Sequence, residues 1–543
     1  MTGRVVLVVI DGLRDDTSHR MPFLSSLRRQ GAWTEVHTRV PSFSKPNYAV
    51  LLTGTWAEIH GVTLNAHSGP VATDHLLHRL RAAGLRSAVI GDEWWGELAG
   101  GQIDYPYLYP DAETHSPNFD DRVEEDALHS LKADPAAFTL VHFCGVDSTA
   151  HTRGGAKSRA YLDAARTADD RVRRLAGALD LAKDTLIVTA DHGHLWQDTR
   201  GGGHGGGEEE VLKVPLVLVG RGIRPGRLEP GETIDTVPTV AALLGVAPPL
   251  ESRGHPRWEA LRAGEPARAA WEIAGLAGSV EFAKSYLGAL EGKPAGEVDR
   301  PVEEAARAVG EAQTLYAAGR YGEAAARVEE ARQALFRHLD QRRTWRLLLL
   351  RLGRLPAGLV LAGFLPLLLA LTGRRRLAVG VGLAGLFAGL DAATFHWLFR
   401  YPWSLSGLPG TGIGDFLRLF ALPEYLALLL LALPFLLAVR RRKPGQAAWD
   451  GLTLAAGAYL ALVWVVAAGY VVNGFRVDRF LPEFTLGFFQ LGALIQLAFL
   501  LPAAVFLPTG AAWLSRGRQV QPRPTEPDAA APPAPGGEAS PSR

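Results

Sequence analysis

The chain holds one cysteine, Cys144, and two methionines in 543 residues. A single thiol excludes an intramolecular disulfide framework and any cysteine-based structural zinc site. Charge of one sign is missing as well: 57 Lys and Arg stand against 56 Asp and Glu, a net charge of +1. No global basic field points to nucleic acid, and none is expected as a partner. Lysine supplies only 8 of the 57 basic residues; with abundant Ala, Gly and Pro, this reads as genome composition. No secretory leader is visible either. Residues 5–10 form an apolar run of six that ends at Asp11, short of the roughly 7–15 residues such a leader needs.

What is present falls into two unlike halves. A hydrophobic fraction of 47% and a charged fraction of 21% exclude a disordered or fibrous chain. The length exceeds one ordinary domain of roughly 150 residues. Charges are spread evenly up to about Gln341. Beyond it, residues 355–372, 452–472 and 484–507 carry no charge, 377–398 carry only Asp391 (with His396), and 419–439 only Glu424. Each run is near the roughly 20 residues a helix needs to cross a bilayer. Five runs of this kind predict an integral membrane protein, placed by this reading in a bacterial cell membrane. Asp391 is expected to face the bundle interior or water. Flanking basic residues number ten on each side, so the positive-inside rule selects neither face. The tail, 519–543, has seven prolines and little to bury, which predicts disorder.

The soluble half alternates apolar runs with helical patterns, the signature of an α/β fold with a mostly parallel sheet flanked by helices. Buried strands are expected at 5–10, 87–90, 138–143, 185–190 and 216–219. Helices are expected at 21–30, 48–52, 73–83, 158–179 and 236–244. Residues 302–339 read as two or three amphipathic helices. The division that follows is a catalytic domain at 1–265, a helical connector at 266–345, an all-α membrane domain of about five spans at 346–510, and a Pro-rich tail at 511–543.

Three aspartates stand at or just past strand ends: Asp11, Asp147 and Asp191. The carboxyl ends of parallel strands share one edge, where ligands bind. One Asp alone is commonly a helix cap; three converging carboxylates repel and call for a positive partner. Histidines accompany them: His151 in Asp-x-x-x-His, His192 directly after Asp191, and His204 within "GGGHGGG". Glycines on both sides let the backbone turn tightly and deliver the imidazole to a fixed point. Carboxylate and imidazole without thiolate suit zinc or manganese, and six such ligands suffice for two divalent ions. Ser44, just ahead of Lys45-Pro46, suits either a helix cap or a nucleophile placed at a helix N-terminus.

These segments, in this order, resemble the alkaline phosphatase superfamily in its nucleotide pyrophosphatase/phosphodiesterase branch. "VVLVVIDGLR" is similar to the family's first strand and metal aspartate, and "SFSKPNYAVLLTG" to its nucleophile segment. "GVDSTAHTRGG" is similar to the Asp-x-x-x-His segment. "TADHGH", "GGGHGG" and "KVPLVLVGRGI" are similar to the late metal segments, and "IDTVPTVAALLGV" to the closing strand and helix. The match spans about residues 5–250. It implies Ser44 as nucleophile, Asn47 as donor to a phosphate oxygen, one ion on Asp147, His151 and His204, and a second on Asp11, Asp191 and His192 with Ser44. Lys45 stands where the branch often has an aromatic that shapes the substrate pocket, and His194 where Met is common. The layout resembles the GPI ethanolamine-phosphate transferases, although no leading span is expected from this sequence and the expected membrane part is shorter. The expected activity is a membrane-bound two-metal phosphodiesterase acting through phospho-serine on a lipid or lipid-linked phosphodiester. The alternative is a phosphoethanolamine-type transferase with a lipid donor. A membrane scaffold with a dead domain is disfavoured by the complete Asp/His set.

Overall fold

The computed structural model describes residues 3–134, 136–196, 203–291, 299–370, 406, 433, 436–437, 440–474 and 506–515. Of 361–370 and most of 450–465 only the backbone is described. Its centre is a nine-stranded sheet. The strands are β1 (Arg4–Ile10), β2 (Ala32–His37), β3 (Ser87–Asp92), β4 (Tyr105–Tyr109), β5 (Phe138–Phe143), β6 (Asp184–Thr189), β7 (Lys213–Gly220), β8 (Gly226–Arg227) and β9 (Gly231–Glu232). They lie in the order β4-β3-β5-β1-β6-β7-β2-β8, with β9 also pairing β2. β7 is antiparallel to both β6 and β2; the other pairs are parallel. The sheet is thus mostly parallel, as expected.

β1, β3 and β5 are buried without alternation, because helices cover both faces of a central parallel sheet. One packed set contains Pro22–Gln30, Phe119–Ala133 and Arg159–Gly177. The other contains Ser44–Thr53, Leu76–Ala82, Trp94–Ala99 and Thr236–Leu244. The apolar runs of the sequence locate every central strand to within three residues at either end. They do not reveal β2 or β4. β2 alternates buried and half-buried residues in "AWTEVH", so it has no continuous run. β4, "YPYLY", is a half-exposed edge strand where Pro106 is tolerated.

Three helices follow: Glu265–Glu291, Arg300–Ala317 and Tyr321–Ala370. They pack on one another around a second core containing Leu276, Ala283, Val302, Ala308, Val328, Leu335 and Leu339. Gly319, at φ 74°, makes the turn between the last two. The third helix continues without a break through residue 345 into the first apolar run. Among the described residues no helix is long and apolar enough to cross a membrane. The runs 377–398 and 484–505, with Asp391 and His396, lie outside the described residues, as does most of 419–439. So do most side chains of the other two runs. Residues 506–515 are helical, and 516–543, with most of the expected Pro-rich tail, lie outside the described residues.

Candidate active site

β5, β1 and β6 are adjacent and parallel, so their carboxyl ends lie side by side. Asp11 directly follows β1, and its backbone N–H donates to Phe143 O at 2.9 Å. Asp147 lies in the first turn of helix Gly145–Thr152 beyond β5, with His151 one turn later. Asp191 and His192 follow β6. All three aspartates are buried.

The structure brings one of the two expected ligand sets together as such, whereas in the second Asp147 stands in the group in place of Asp191. Asp147, His151 and His204 offer ligand atoms within 4.8 Å of one another, and so do Asp11, Asp147 and His192. His151 Nε2 is 3.0 Å from Asp147 Oδ2 and 3.0 Å from His204 Nε2. His192 Nε2 is 3.2 Å from Asp191 Oδ2 and 3.4 Å from Asp11 Oδ1. The His192 and His204 rings stack with centroids 3.9 Å apart, which joins the two groups. His204 is delivered by its glycines: Gly205, at φ 109°, forms a bridge with Ser42. A Cβ at Gly205 would lie 2.3 Å from the Phe43 ring. On its other side this loop meets Ser406. Gly203 N–H donates to Ser406 O at 2.8 Å and Gly206 N–H to Ser406 Oγ at 2.9 Å, while Ser406 Oγ donates to Glu208 at 2.7 Å.

The electrostatics are unbalanced. Burial alone would raise Asp147, yet His151 and His204 beside it hold its carboxyl well below the usual range. Burial, with Asp11 and Asp147 nearby, pushes Asp191 well above it. Burial and His192 push His204 well below the usual imidazole value. Three buried oxygens, Asp11 Oδ1, Asp147 Oδ1 and Asp191 Oδ2, accept no hydrogen bond among the described residues. The imidazoles are turned to match. His192 Nδ1 faces Gly193 O at 2.9 Å and His204 Nδ1 faces Ser42 O at 3.2 Å. A proton on each Nδ1 leaves both Nε2 lone pairs aimed among the carboxylates. Unpaired carboxylate oxygens and imidazole lone pairs, with no thiolate among these six residues, fit divalent cations such as zinc or manganese.

Ser44 is the first residue of helix Ser44–Thr53, behind Phe43, and no side-chain hydrogen bond caps that helix. Its Oγ lies 3.1 Å from His192 Nε2. The capping reading therefore has no support in the geometry. Asn47 is turned to local partners: its Nδ2 donates to Phe43 O at 3.0 Å, and its Oδ1 accepts from the Thr38 hydroxyl. Lys45 is buried. Its ammonium donates to His67 O at 2.5 Å and Glu97 Oε2 at 2.6 Å, over the Trp94 ring. None of these bonds of Asn47 or Lys45 reaches the Asp/His set. His194, buried beside His151 at a centroid distance of 5.1 Å, is pushed down to about 4 by burial and then by His151.

Sequence reasoning missed Tyr48 and His142. Tyr48 OH donates to Asp11 Oδ2 at 2.5 Å, and His142 Nε2 stands 3.2 Å from the same oxygen. One signal was available: His142 interrupts the otherwise apolar "FTLVHF" of β5, where a buried imidazole needs a partner.

The type I phosphodiesterase / nucleotide pyrophosphatase family matches residues 5–196. GPI ethanolamine phosphate transferase 1 of Mus musculus is 27% identical over 304 residues, covering 46% of this chain and 32% of the relative. The catalytic subunit of GPI ethanolamine phosphate transferase 3 of Homo sapiens is 28% identical over 292 residues, covering 48% and 26% respectively. The chain therefore spans a third or less of the length of these curated relatives. Among solved structures, human ectonucleotide pyrophosphatase / phosphodiesterase 5 is similar at 15% identity and a TM-score of 0.39, covering 48% of this chain and all of that one. Asp11, Ser44, Asp147 and His192 all fall inside the matched segment, so residues 5–196, which carry most of the site, are similar to the type I phosphodiesterase / nucleotide pyrophosphatase family.

Proposed function

We propose that the protein cleaves a phosphodiester through a phospho-serine at Ser44. The carrying observation is that Ser44 Oγ sits uncapped at a helix N-terminus, 3.1 Å from His192 Nε2, beside three buried carboxylates with unpaired oxygens. Asp147, His151 and His204 would hold one divalent ion, and Asp11, Asp191, His192 and Ser44 Oγ a second; zinc is the first choice and manganese the next. Such ions, when bound, lower the pKa of a hydroxyl and offset phosphoryl charge.

The residues of the chain then divide the work. Ser44 Oγ attacks phosphorus as its proton is lost to solvent; a Ser44–O–P bond forms and the P–O bond to the leaving alcohol breaks. The alkoxide takes up a proton. The first-turn amides of Ser44–Thr53 and the helix dipole favour the anion. Asn47 is assigned a phosphate oxygen, which requires its amide to turn from Phe43 O. Lys45 is assigned to the substrate wall together with Glu97 and Trp94. Water attacking the phospho-serine gives hydrolysis; an alcohol gives transfer. The names of the curated relatives, ethanolamine phosphate transferases, favour transfer as the second reading.

A membrane domain at 346–510 completes the proposal, with a lipid or lipid-linked phosphodiester as substrate. Three contacts support an alternating path of five spans. Arg354, before the first run, reaches Val472 O at the end of the fourth at 3.5 Å. The Ser515 hydroxyl, after the fifth, donates to Arg440 O, after the third. Ser406, between the second and third, touches the catalytic loop. The test is product analysis of purified protein with a lipid phosphodiester, with and without an alcohol acceptor, alongside Ser44→Ala. Wild-type turnover by Ser44→Ala overturns the proposal.

A further inference from the structure

Asp11 is gripped from behind by groups that the proposed ion sites leave unused. Tyr48, Trp95 and His142 are fully buried. They come from helix Ser44–Thr53, helix Trp94–Ala99 and β5. The Tyr48 ring stacks on Trp95 with centroids 4.4 Å apart at 14°. The His142 ring stands edge-on to both, at 4.8 Å and 5.6 Å. This packing fixes the three rotamers. Tyr48 OH donates to Asp11 Oδ2 at 2.5 Å; His142 Nε2 lies 3.2 Å from that oxygen and 3.1 Å from the phenol oxygen.

The two oxygens of Asp11 thus have different fates. Oδ2 has two hydrogen-bonding neighbours, which match its two lone pairs. Oδ1 accepts no hydrogen bond and faces His192 Nε2 at 3.4 Å. Tyr48 also lies four residues after Ser44 on one helix, and residues four apart share a helix face. A rotation or slide of that helix would therefore move Ser44 and the grip on Asp11 together.

We propose that Tyr48, backed by Trp95 and joined by His142, is a positioning residue. It presents Asp11 through Oδ1 alone and, by holding Oδ2, ties the carboxylate to the nucleophile helix. The inference rests on the two-ion reading above. A competing use of the same atoms is a third cation, since Asp11, His142 and Cys144 offer ligand atoms within 4.8 Å of one another. The phenol already occupies Asp11 Oδ2, which favours the hydrogen-bonded arrangement.

The experiment uses the full chain in detergent, stripped and reloaded with zinc. It measures stoichiometry by elemental analysis and stepwise affinity by competition with a chromophoric chelator, for wild type, Tyr48→Phe and His142→Gln. Melting of the metal-free proteins checks the fold. Tyr48→Phe keeps the stack and loses only the hydroxyl. The expected result is two ions in wild type and a 10–100-fold loss of affinity at one site only, the size typical of a lost outer-shell partner. Turnover should fall with KM nearly unchanged. Wild-type affinity at both sites of Tyr48→Phe, or three ions in wild type, overturns the proposal. If Tyr48→Phe does not fold, the same affinity measurement on His142→Gln decides. A wild type that binds no zinc refutes the two-ion reading itself rather than this inference.

Discussion

Gly12 shows how little freedom the site leaves to a single residue. It has φ +70°, and a Cβ there would stand 2.7 Å from Asp147 Oδ1 and 2.9 Å from Asp147 Cα. Gly12→Ala is therefore expected to cost about 1 kcal/mol for the left-handed backbone and to push Asp147 from its place. Zinc affinity measured on this variant should drop at the site that uses Asp147; an unchanged affinity would show that the close approach is immaterial. Ser44→Ala should behave in the opposite way. No capping bond is lost, so the melting temperature should stay close to that of wild type while turnover falls by several orders of magnitude. A stability loss of about 1 kcal/mol with turnover retained is what a cap would give. The sequence displayed Asp11, Asp147 and Asp191 because each stands at or just past the end of a largely apolar run. It concealed Tyr48 and His142, whose meaning depends on β5 lying beside β1, a neighbour relation that no local pattern encodes.

At the scale of elements, the buried histidines decide how the fold answers acid. His60 ends the short helix Ala57–His60 and accepts from Val62 N–H through Nδ1 at 3.1 Å. Burial, and then His67, lower it from 6.5 to about 3. Burial likewise lowers His75, at the start of helix Leu76–Ala82, to about 4, with Asp74 opposing. The unfolded chain takes up these protons near pH 6.5, whereas the folded chain does so only well below pH 5. The unfolded state thus binds more protons in between, and stability falls as pH drops from about 6.5 toward 4. Denaturant unfolding of His60→Gln across that window should show a slope shallower by close to one proton; a slope equal to wild type would exclude His60 as a contributor. The strands illustrate what periodicity can and cannot reveal. Central strands were legible because both faces are covered. β2 was not, since "AWTEVH" shows its inner face only once β7 is known to pair with it.

For the whole molecule, ions that bind the folded state alone raise its stability by mass action. The unpaired oxygens of Asp11, Asp147 and Asp191 lie beyond the ends of three different strands, so cations there would cross-link the middle of the sheet edge. Chelation is expected to abolish turnover and to lower the melting temperature by on the order of 5 °C for a domain of this size. Zinc or manganese should restore both, and full turnover after exhaustive chelation would sink the metal assignment. The two halves of the chain were plain in the sequence as a change of composition; that they touch was not, because the contact joins residues about two hundred positions apart. Ser406 accepts from the amides of Gly203 and Gly206, on either side of His204. Separability follows from this: a fragment ending at residue 265 would carry every Asp, His and Ser of the site, yet those two amides would lose their acceptor. Hydrogen exchange at Gly203 and Gly206 should be fast in such a fragment and slow in the intact protein. The excised piece would then be an incomplete enzyme with a complete set of ligands, and activities measured on it would understate those of the parent.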